Sequence, residues 1–357
     1  MNQSDTYSVI GLMSGSSLDG LDLVCCTFVL KDDAWQYEIE AAACIPYPEN
    51  IAYELKSAFY KSSTEIAQLD VDYGKFLGQQ IAKFIKKNNL NPDFVASHGH
   101  TIFHRPNEGY TLQIGDGQSI ADVTGRMVIN DFRTLDVKKG GQGAPLVPIG
   151  DRLLFSDYGI CLNIGGIANL SFENKEERIA YDICIANQAL NYLANQVGKE
   201  YDENGDLASD GEVYLPLLRQ LNSLEYYQKP FPKSLGRESF EREILPLLLQ
   251  TEINVKDIMR TFVEHIAIQI VECIEKLPLS KMLITGGGAF NRFLVELIGV
   301  KTKHQLIVPD SLTVNFKESI IFAFLGVLRF RNEINCLKSV TGAIEDSCCG
   351  LIHIPKV

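Results

Sequence analysis

The sequence predicts an α/β protein built twice over: two domains that each open with a three-strand meander and continue as alternating helices and strands. Three observations carry this reading. The chain has 357 residues, about twice the roughly 150 of a typical domain, so two cores can be buried. Strand-like and helix-like periodicities follow one another in the same order in both halves. Glycine turns at Gly15 and Gly166 lie about 150 positions apart, each between the first and second strand of its half.

The elements follow in order. Ser8 to Leu12, Leu21 to Leu30 and Gln36 to Ile45 read as an antiparallel meander with a Gly/Ser turn after the first strand. Helical spacing covers Ile51 to Tyr60 and then Ile66 to Ile85, where Ile66, Leu69, Tyr73, Phe76, Leu77, Gln80, Ile81, Phe84 and Ile85 fall mostly on one face. Phe94 to Ser97, Thr111 to Ile114 and Met127 to Asn130 are short apolar runs of the buried-strand kind. The second half repeats the order: Ile160 to Ile164, Ile167 to Phe172 and Ile179 to Asp182 form a meander, followed by a helix from Gln188 to Val197. A long amphipathic helix spans Val255 to Leu277, then come strand Met282 to Thr285, helix Asn291 to Ile298, strand Gln305 to Val308 and helix Lys317 to Arg331. The stretch Tyr201 to Gly236, with three prolines, reads as an insertion or mobile loop. The predicted domains are 1–130 with about 316–357, and 131–315 carrying the insertion at about 201–236.

Composition narrows the function. Thirty-three Lys+Arg against 45 Asp+Glu give a net charge of −12, which disfavours nucleic acid and anionic membrane as partners. With 46% hydrophobic and 22% charged residues the chain reads as an ordinary globular protein. The N-terminus lacks a basic segment followed by an apolar run, so the protein is read as not secreted and cytoplasmic. Nine cysteines without a C-x-x-C spacing fit reduced thiols in a core.

Chemistry concentrates at the glycine turns. Gly11 to Gly20 packs glycines and three serines between two strands, which suits N–H and hydroxyl donors around a phosphate; a ligand-free hairpin has the same composition. A second turn, Leu162-Asn-Ile-Gly-Gly-Ile-Ala-Asn169, occupies the equivalent place, and two facing hairpins can hold a polyphosphate. Neither a Walker A motif nor G-x-G-x-x-G spacing is present at these turns. Gly286-Gly-Gly288 follows an apolar strand and precedes a helix, where backbone could approach a base or ribose, or simply allow tight strand–helix packing.

Among the acids, Asp182 ends the last strand of the second meander among apolar neighbours, with Asn187 better placed to cap the next helix; Asp19 and Asp22 flank the first turn. A phosphoryl acceptor needs such a base, although strand-end aspartates are commonly turn formers. His98, His100 and His104 follow the strand Phe94 to Ser97 without cysteine or carboxylate at ligand spacing, which favours polar substrate contacts over a metal. Arg133 could clamp a carboxylate or pair with Asp131 or Asp136 at the surface.

Taken together, GLMSGSSLDGLD, SHGHTI, QIGDG, NDFRTLDVKKGGQGAPLVP, LNIGGIANLS, PKSLGRE, GGGAFN and VTGA resemble, in order and over nearly the whole chain, the anhydro-N-acetylmuramic acid kinases. The resemblance implies the fold of the hexokinase, actin and heat-shock chaperone ATPase superfamily: two ribonuclease H-like domains, each β-β-β-α-β-α-β-α, with ATP in the interdomain cleft. It implies a sugar kinase of cell-wall recycling that opens the 1,6-anhydro ring with water while ATP phosphorylates O6.

The resemblance makes Asp182 the catalytic base. It assigns Gly15, Ser16, Ser17, Leu18, Asp19, Gly20, Asn163, Gly165, Gly166, Gly286, Gly287 and Gly288 to ATP, and His98, Thr101, Arg133 and Glu318 to the sugar. Mg2+ accompanies the nucleotide, no residue is assigned to a metal, and a homodimer stays open. The chain departs from the family's F-D-x-G-P-G-N, having Ile185 and Ala186 where Pro-Gly usually stands, and from its Gly-Thr-Ser at Gly15-Ser-Ser. A second reading is kept beside the kinase: an ATP-binding regulatory protein on the same fold that no longer turns over.

Overall fold

A computed structural model of the chain describes residues 5–15, 18, 20–249 and 253–356. It divides into two compact units, Met1–Phe155 with Phe316–Val357, and Ser156–Asn315.

The first unit is built on β1 (Thr6–Ser14), β2 (Leu21–Lys31), β3 (Ala34–Ile45), β4 (Phe94–Arg105), β5 (Tyr110–Ile114), β6 (Met127–Asn130) and β12 (Leu351–His353). Their order is β12-β6-β4-β1-β2-β3, with β5 paired to β4. β1, β2 and β3 are antiparallel neighbours, whereas β4 joins β1, and β6 joins β4, in parallel. The central strand β1 is apolar on both faces because both are covered. On one face lies helix Ser63–Asn88, started by a Ser62/Glu65 capping box and ended by left-handed Asn89; Tyr73, Leu77 and Ile81 pack with Ile10, Leu12 and Val95. On the other lies helix Ser311–Phe330, whose Phe324 contacts Phe28 and Trp35. This helix is long and apolar enough to cross a membrane, but 78% of its most apolar window is buried in protein. It approaches β1 so closely that a Cβ on Gly11 would lie 2.0 Å from the Ser319 carbonyl oxygen, a contact only glycine permits.

The second unit contains β7 (Ile160–Ile164), β8 (Ile167–Asn174), β9 (Glu177–Ile185), β10 (Lys281–Thr285) and β11 (Gln305–Ile307), in the order β11-β10-β7-β8-β9. Again three strands are antiparallel and two more add in parallel beside the first. Five strands of the first sheet, β6-β4-β1-β2-β3, thus share order and sense with the second, while β12 and β5 have no counterpart in it. Helices Asn187–Asn195 and Val255–Ile274 supply Leu190, Leu193, Phe262, Ile266 and Ile270 to the core beneath it.

Several expectations need correction. The first unit runs to Phe155 instead of stopping at 130. Segment 131–155 is tied into that unit by Gln142 N–H on the Thr341 carbonyl (2.8 Å), Thr341 on Asp136 (2.8 Å) and a buried Lys317–Asp151 ion pair (2.7 Å). The stretch 201–236 is not an irregular loop. Asp202 accepts from Leu207 and Ala208 N–H to start a short helix, and helix Leu215–Asn222 buries Leu217 and Leu221. β4 extends through the histidines, helix Ser311–Phe330 begins before Lys317, and β9 continues past Asp182 to Ile185.

Candidate active site

In the first unit the candidate residues collect at the carboxyl ends of the parallel strands. Ser14 ends β1, and its buried Oγ receives the hydroxyls of Tyr47 (2.7 Å) and Tyr73 (3.1 Å). The two tyrosine hydroxyls also share a hydrogen bond (3.0 Å), and Oγ lies in hydrogen-bond contact with His100 Nδ1 at 2.9 Å. Burial lowers the His100 pKa to about 4, which keeps the ring neutral. The network anchors the base of the turn that follows. There Leu18 has φ 61° and donates to the Gly15 carbonyl (3.2 Å), and Gly20 leads into β2. Ser16, Ser17 and Asp19 lie outside the described residues.

His98 and Arg133 form one rigid pair. His98 Nδ1–H donates to the Gly99 carbonyl (3.0 Å), so Nε2 carries the lone pair, and Arg133 donates to it from Nε (3.1 Å) and Nη2 (2.8 Å). Arg133 Nη1 donates to the Gly143 carbonyl at 2.6 Å. Burial, then the Arg133 charge, holds the His98 pKa well below its ordinary value. Burial lowers Arg133 to about 10, against the opposing pull of Glu318. Arg133 therefore pairs with neither Asp131 nor Asp136. His98 occupies the Nε/Nη2 edge of its fork and Gly143 one Nη1 hydrogen, which leaves one N–H on each Nη for a ligand.

Glu318 projects from helix Ser311–Phe330 with its surface open to solvent, yet it is hemmed in by protein. That desolvation raises its pKa, while Arg133 and Lys317 pull it down. Thr101 lies on β4 opposite Gln113, whose side-chain amide donates to its hydroxyl (3.4 Å). The structure links Arg133 to His98 by hydrogen bonds and to Glu318 electrostatically, with Thr101 three residues along the same strand as His98.

In the second unit, Asn163 on β7 stands in register with Thr285 of β10, at the carboxyl ends of two parallel strands. Gly286 has φ 80°, and a Cβ there would come within 2.7 Å of both Asn163 Oδ1 and the Ile164 carbonyl, so glycine is required. Gly287 and Gly288 open a 3-10 turn beside it, and Asn291 caps helix Arg292–Lys301. The Gly165-Gly166 turn is held against helix Asn187–Asn195. Gly165 O accepts from Asn187 N–H (3.1 Å), and Gly166 O accepts from Ala186 (2.8 Å) and Gln188 (3.2 Å). Gly165 N–H is spent on the Ile167 carbonyl (3.2 Å), so it is not among the donors the turn offers. Asn187 does not cap the helix with its side chain, which reaches instead to the Ile164 carbonyl (3.3 Å).

Asp182 is a strand-interior carboxylate, opposite Asn169. Leu235 N–H donates to its Oδ2 (2.8 Å), Tyr226 OH donates to its main-chain carbonyl (2.6 Å), and its own N–H donates to the Lys233 carbonyl (3.2 Å). Burial raises its pKa, and the Leu235 bond opposes that. Residues 226–235 were missed as site residues because nothing local in the sequence shows that they return to β9. The PKSLGRE segment, one of the motifs that carry the family resemblance, was the available signal.

A family model described as anhydro-N-acetylmuramic acid kinase matches residues 7–355. The chain belongs to that family. A relative of the same name from Sulfurovum sp. (strain NBC37-1) is 34% identical over 97% of this chain and 98% of its own. Another from Shewanella sp. (strain ANA-3) is 35% identical over 96% and 97%. Among solved structures, the activator of 2-hydroxyisocaproyl-CoA dehydratase from Clostridium difficile with bound ADPNP matches with a TM-score of 0.45 and 15% identity, over 91% of this chain and 97% of that one.

Ile185 and Ala186 each have a place in the fold. Ile185 is buried in the core and pairs with Ile167, and Ala186 supplies the N–H that holds Gly166.

Proposed function

We propose that the chain is an ATP-dependent kinase that opens 1,6-anhydro-N-acetylmuramic acid with water and phosphorylates O6, giving N-acetylmuramic acid 6-phosphate and ADP in cytoplasmic cell-wall recycling. Membership of the family over nearly the whole chain supports the activity. The observation that carries the mechanism is the half-buried Asp182 carboxylate, pinned at Oδ2 and raised in pKa. Asp182 takes a proton from water as the water oxygen bonds to the anomeric carbon. The bond from that carbon to O6 breaks, and O6 receives the γ-phosphoryl group.

In this reading His98, Thr101, Arg133 and Glu318 hold the sugar. The nucleotide is held by Gly15, Ser16, Ser17, Leu18, Asp19, Gly20, Asn163, Gly165, Gly166 and Gly286 to Gly288, with Gly165 contributing shape more than its N–H. The common strand order of the two sheets supports a duplicated ribonuclease H-like architecture. Mg2+ is read as entering on the triphosphate, as part of the substrate.

The test is ADP release from ATP and Mg2+ with and without 1,6-anhydro-N-acetylmuramic acid, run in 18O-labelled water. Sugar-dependent ADP release with one label at the anomeric hydroxyl is expected. Sugar-independent turnover, or none, would overturn the reading.

A further inference from the structure

The segment from Tyr226 to Leu235 does more than cover β9. Its three contacts with Asp182 engage the carbonyl, the N–H and the carboxylate of one residue. The segment is closed on itself, with Lys233 Nζ 4.6 Å from the Tyr226 ring centroid and 3.3 Å from the Tyr226 carbonyl. It is also moored from behind. Tyr227 OH meets the buried His265 Nε2 (2.9 Å), and His265 Nδ1–H donates to Asn222 Oδ1 (2.6 Å), an oxygen that also accepts from Gln269 (3.1 Å). The strap is thereby fastened to helices Leu215–Asn222 and Val255–Ile274.

We infer that Tyr226 is a positioning residue for the reaction: its hydroxyl, seated on the Asp182 carbonyl, fixes the main chain that aims the Asp182 carboxylate. The inference rests on reading Asp182 as the base. Packing alone would be served by phenylalanine, since the Tyr226 ring is buried and only the hydroxyl reaches the strand. With Oδ2 pinned by Leu235, Oδ1 takes no hydrogen bond among the described residues and is the oxygen left to receive the proton of water. Its direction depends on a residue held at three points, two of them on its main chain. Loss of one lets the carboxylate drift by a fraction of an ångström, on the scale at which misplacement of a reacting group costs rate and not affinity.

The experiment compares Tyr226→Phe, Tyr227→Phe and Asp182→Asn in the full chain, assayed well below each thermal midpoint. Tyr226→Phe is expected to lower kcat about 10- to 100-fold, with the sugar KM and the ADP Kd each within about twofold of the parent. Tyr227→Phe, one step farther from Asp182, is expected to show a smaller loss with the same split. If Asp182→Asn abolishes turnover while Tyr226→Phe keeps the parent kcat, the positioning role is overturned and the base assignment stands, even where Tyr226→Phe lowers Tm. If Asp182→Asn itself keeps the parent kcat, the base assignment falls and this inference with it.

Discussion

Replacing Arg133 with lysine keeps a positive charge but removes the fork that spans two anchors. Arginine reaches His98 Nε2 through Nε and Nη2 and the Gly143 carbonyl through Nη1, at 2.6 to 3.1 Å. A single ammonium reaches one of these at a time, so at least one charged hydrogen bond is lost, worth ~1.5–3 kcal/mol. If Arg133 also gives one of its remaining N–H groups to the sugar in the transition state, loss of that charged hydrogen bond appears in kcat/KM, at about tenfold per 1.4 kcal/mol, hence roughly 10- to 150-fold. Burial lowers even the arginine to about 10. A lysine there would start from ~10.4 and be lowered too, so the variant should lose its remaining activity at a lower pH on the alkaline side. The assay is steady-state ADP release at varied sugar, with ADP affinity by calorimetry as the control. A variant with kcat/KM within about threefold of the parent would refute the idea that the His98–Arg133 pair organises the sugar site.

Two further outcomes follow from buried charges. Asp182→Asn should cut kcat by ~10²–10⁴-fold with ADP affinity unchanged, and in the parent enzyme the acid limb of kcat/KM should lie above the ordinary aspartate value of 3.8 because burial raises this carboxyl. The sign for stability runs the other way. The folded state disfavours the ionised form, so this site favours folding most at low pH and loses that contribution as pH rises through the raised pKa. The uncharged asparagine should then hold or raise Tm near neutrality, and a clear fall in Tm with a parent-like kcat would return Asp182 to a purely structural role. Lys317→Met removes the ammonium 2.7 Å from the buried Asp151 carboxylate. Denaturant unfolding should show a loss of ~3–5 kcal/mol that Lys317→Met with Asp151→Leu largely restores; a single-variant cost under ~1 kcal/mol would contradict this.

How much of this was legible in the sequence depended on whether the signal was local. The two meanders and the helix Ser63–Asn88 were legible because buried faces repeat every two or every three to four residues. β4 was cut short at Ser97 because His98 and His100 look like loop residues, whereas both are buried on the strand by partners from elsewhere in the chain, Arg133 and Ser14. The helix carrying Glu318 starts six residues before Lys317, where Asp310 takes the N–H and hydroxyl of Thr313 in a capping turn. At the site, residue types could be picked from the motifs, but their pairings could not. That Arg133 holds a histidine and a carbonyl, and that Tyr226 and Leu235 return to Asp182, are contacts across 10 to 53 positions, which no period or cap announces.

The seating of Gly165 and Gly166 on helix Asn187–Asn195 has an electrical consequence. A trans peptide carries its C=O and the following N–H on opposite sides of one plane. The plane that hands the Gly165 oxygen to the Asn187 N–H must therefore turn the Gly166 hydrogen away from the helix. Its dipole is then aligned with those of the helix and extends the column by one more peptide beyond the first turn. Hydrogen bonds joined end to end polarise one another, so the Gly166 N–H becomes the positive tip of a stack whose other end is the last turn at Asn195. What reads in the sequence as two small residues chosen for a bend is, in the folded chain, the terminal of a helix that has been lengthened without adding a residue to it.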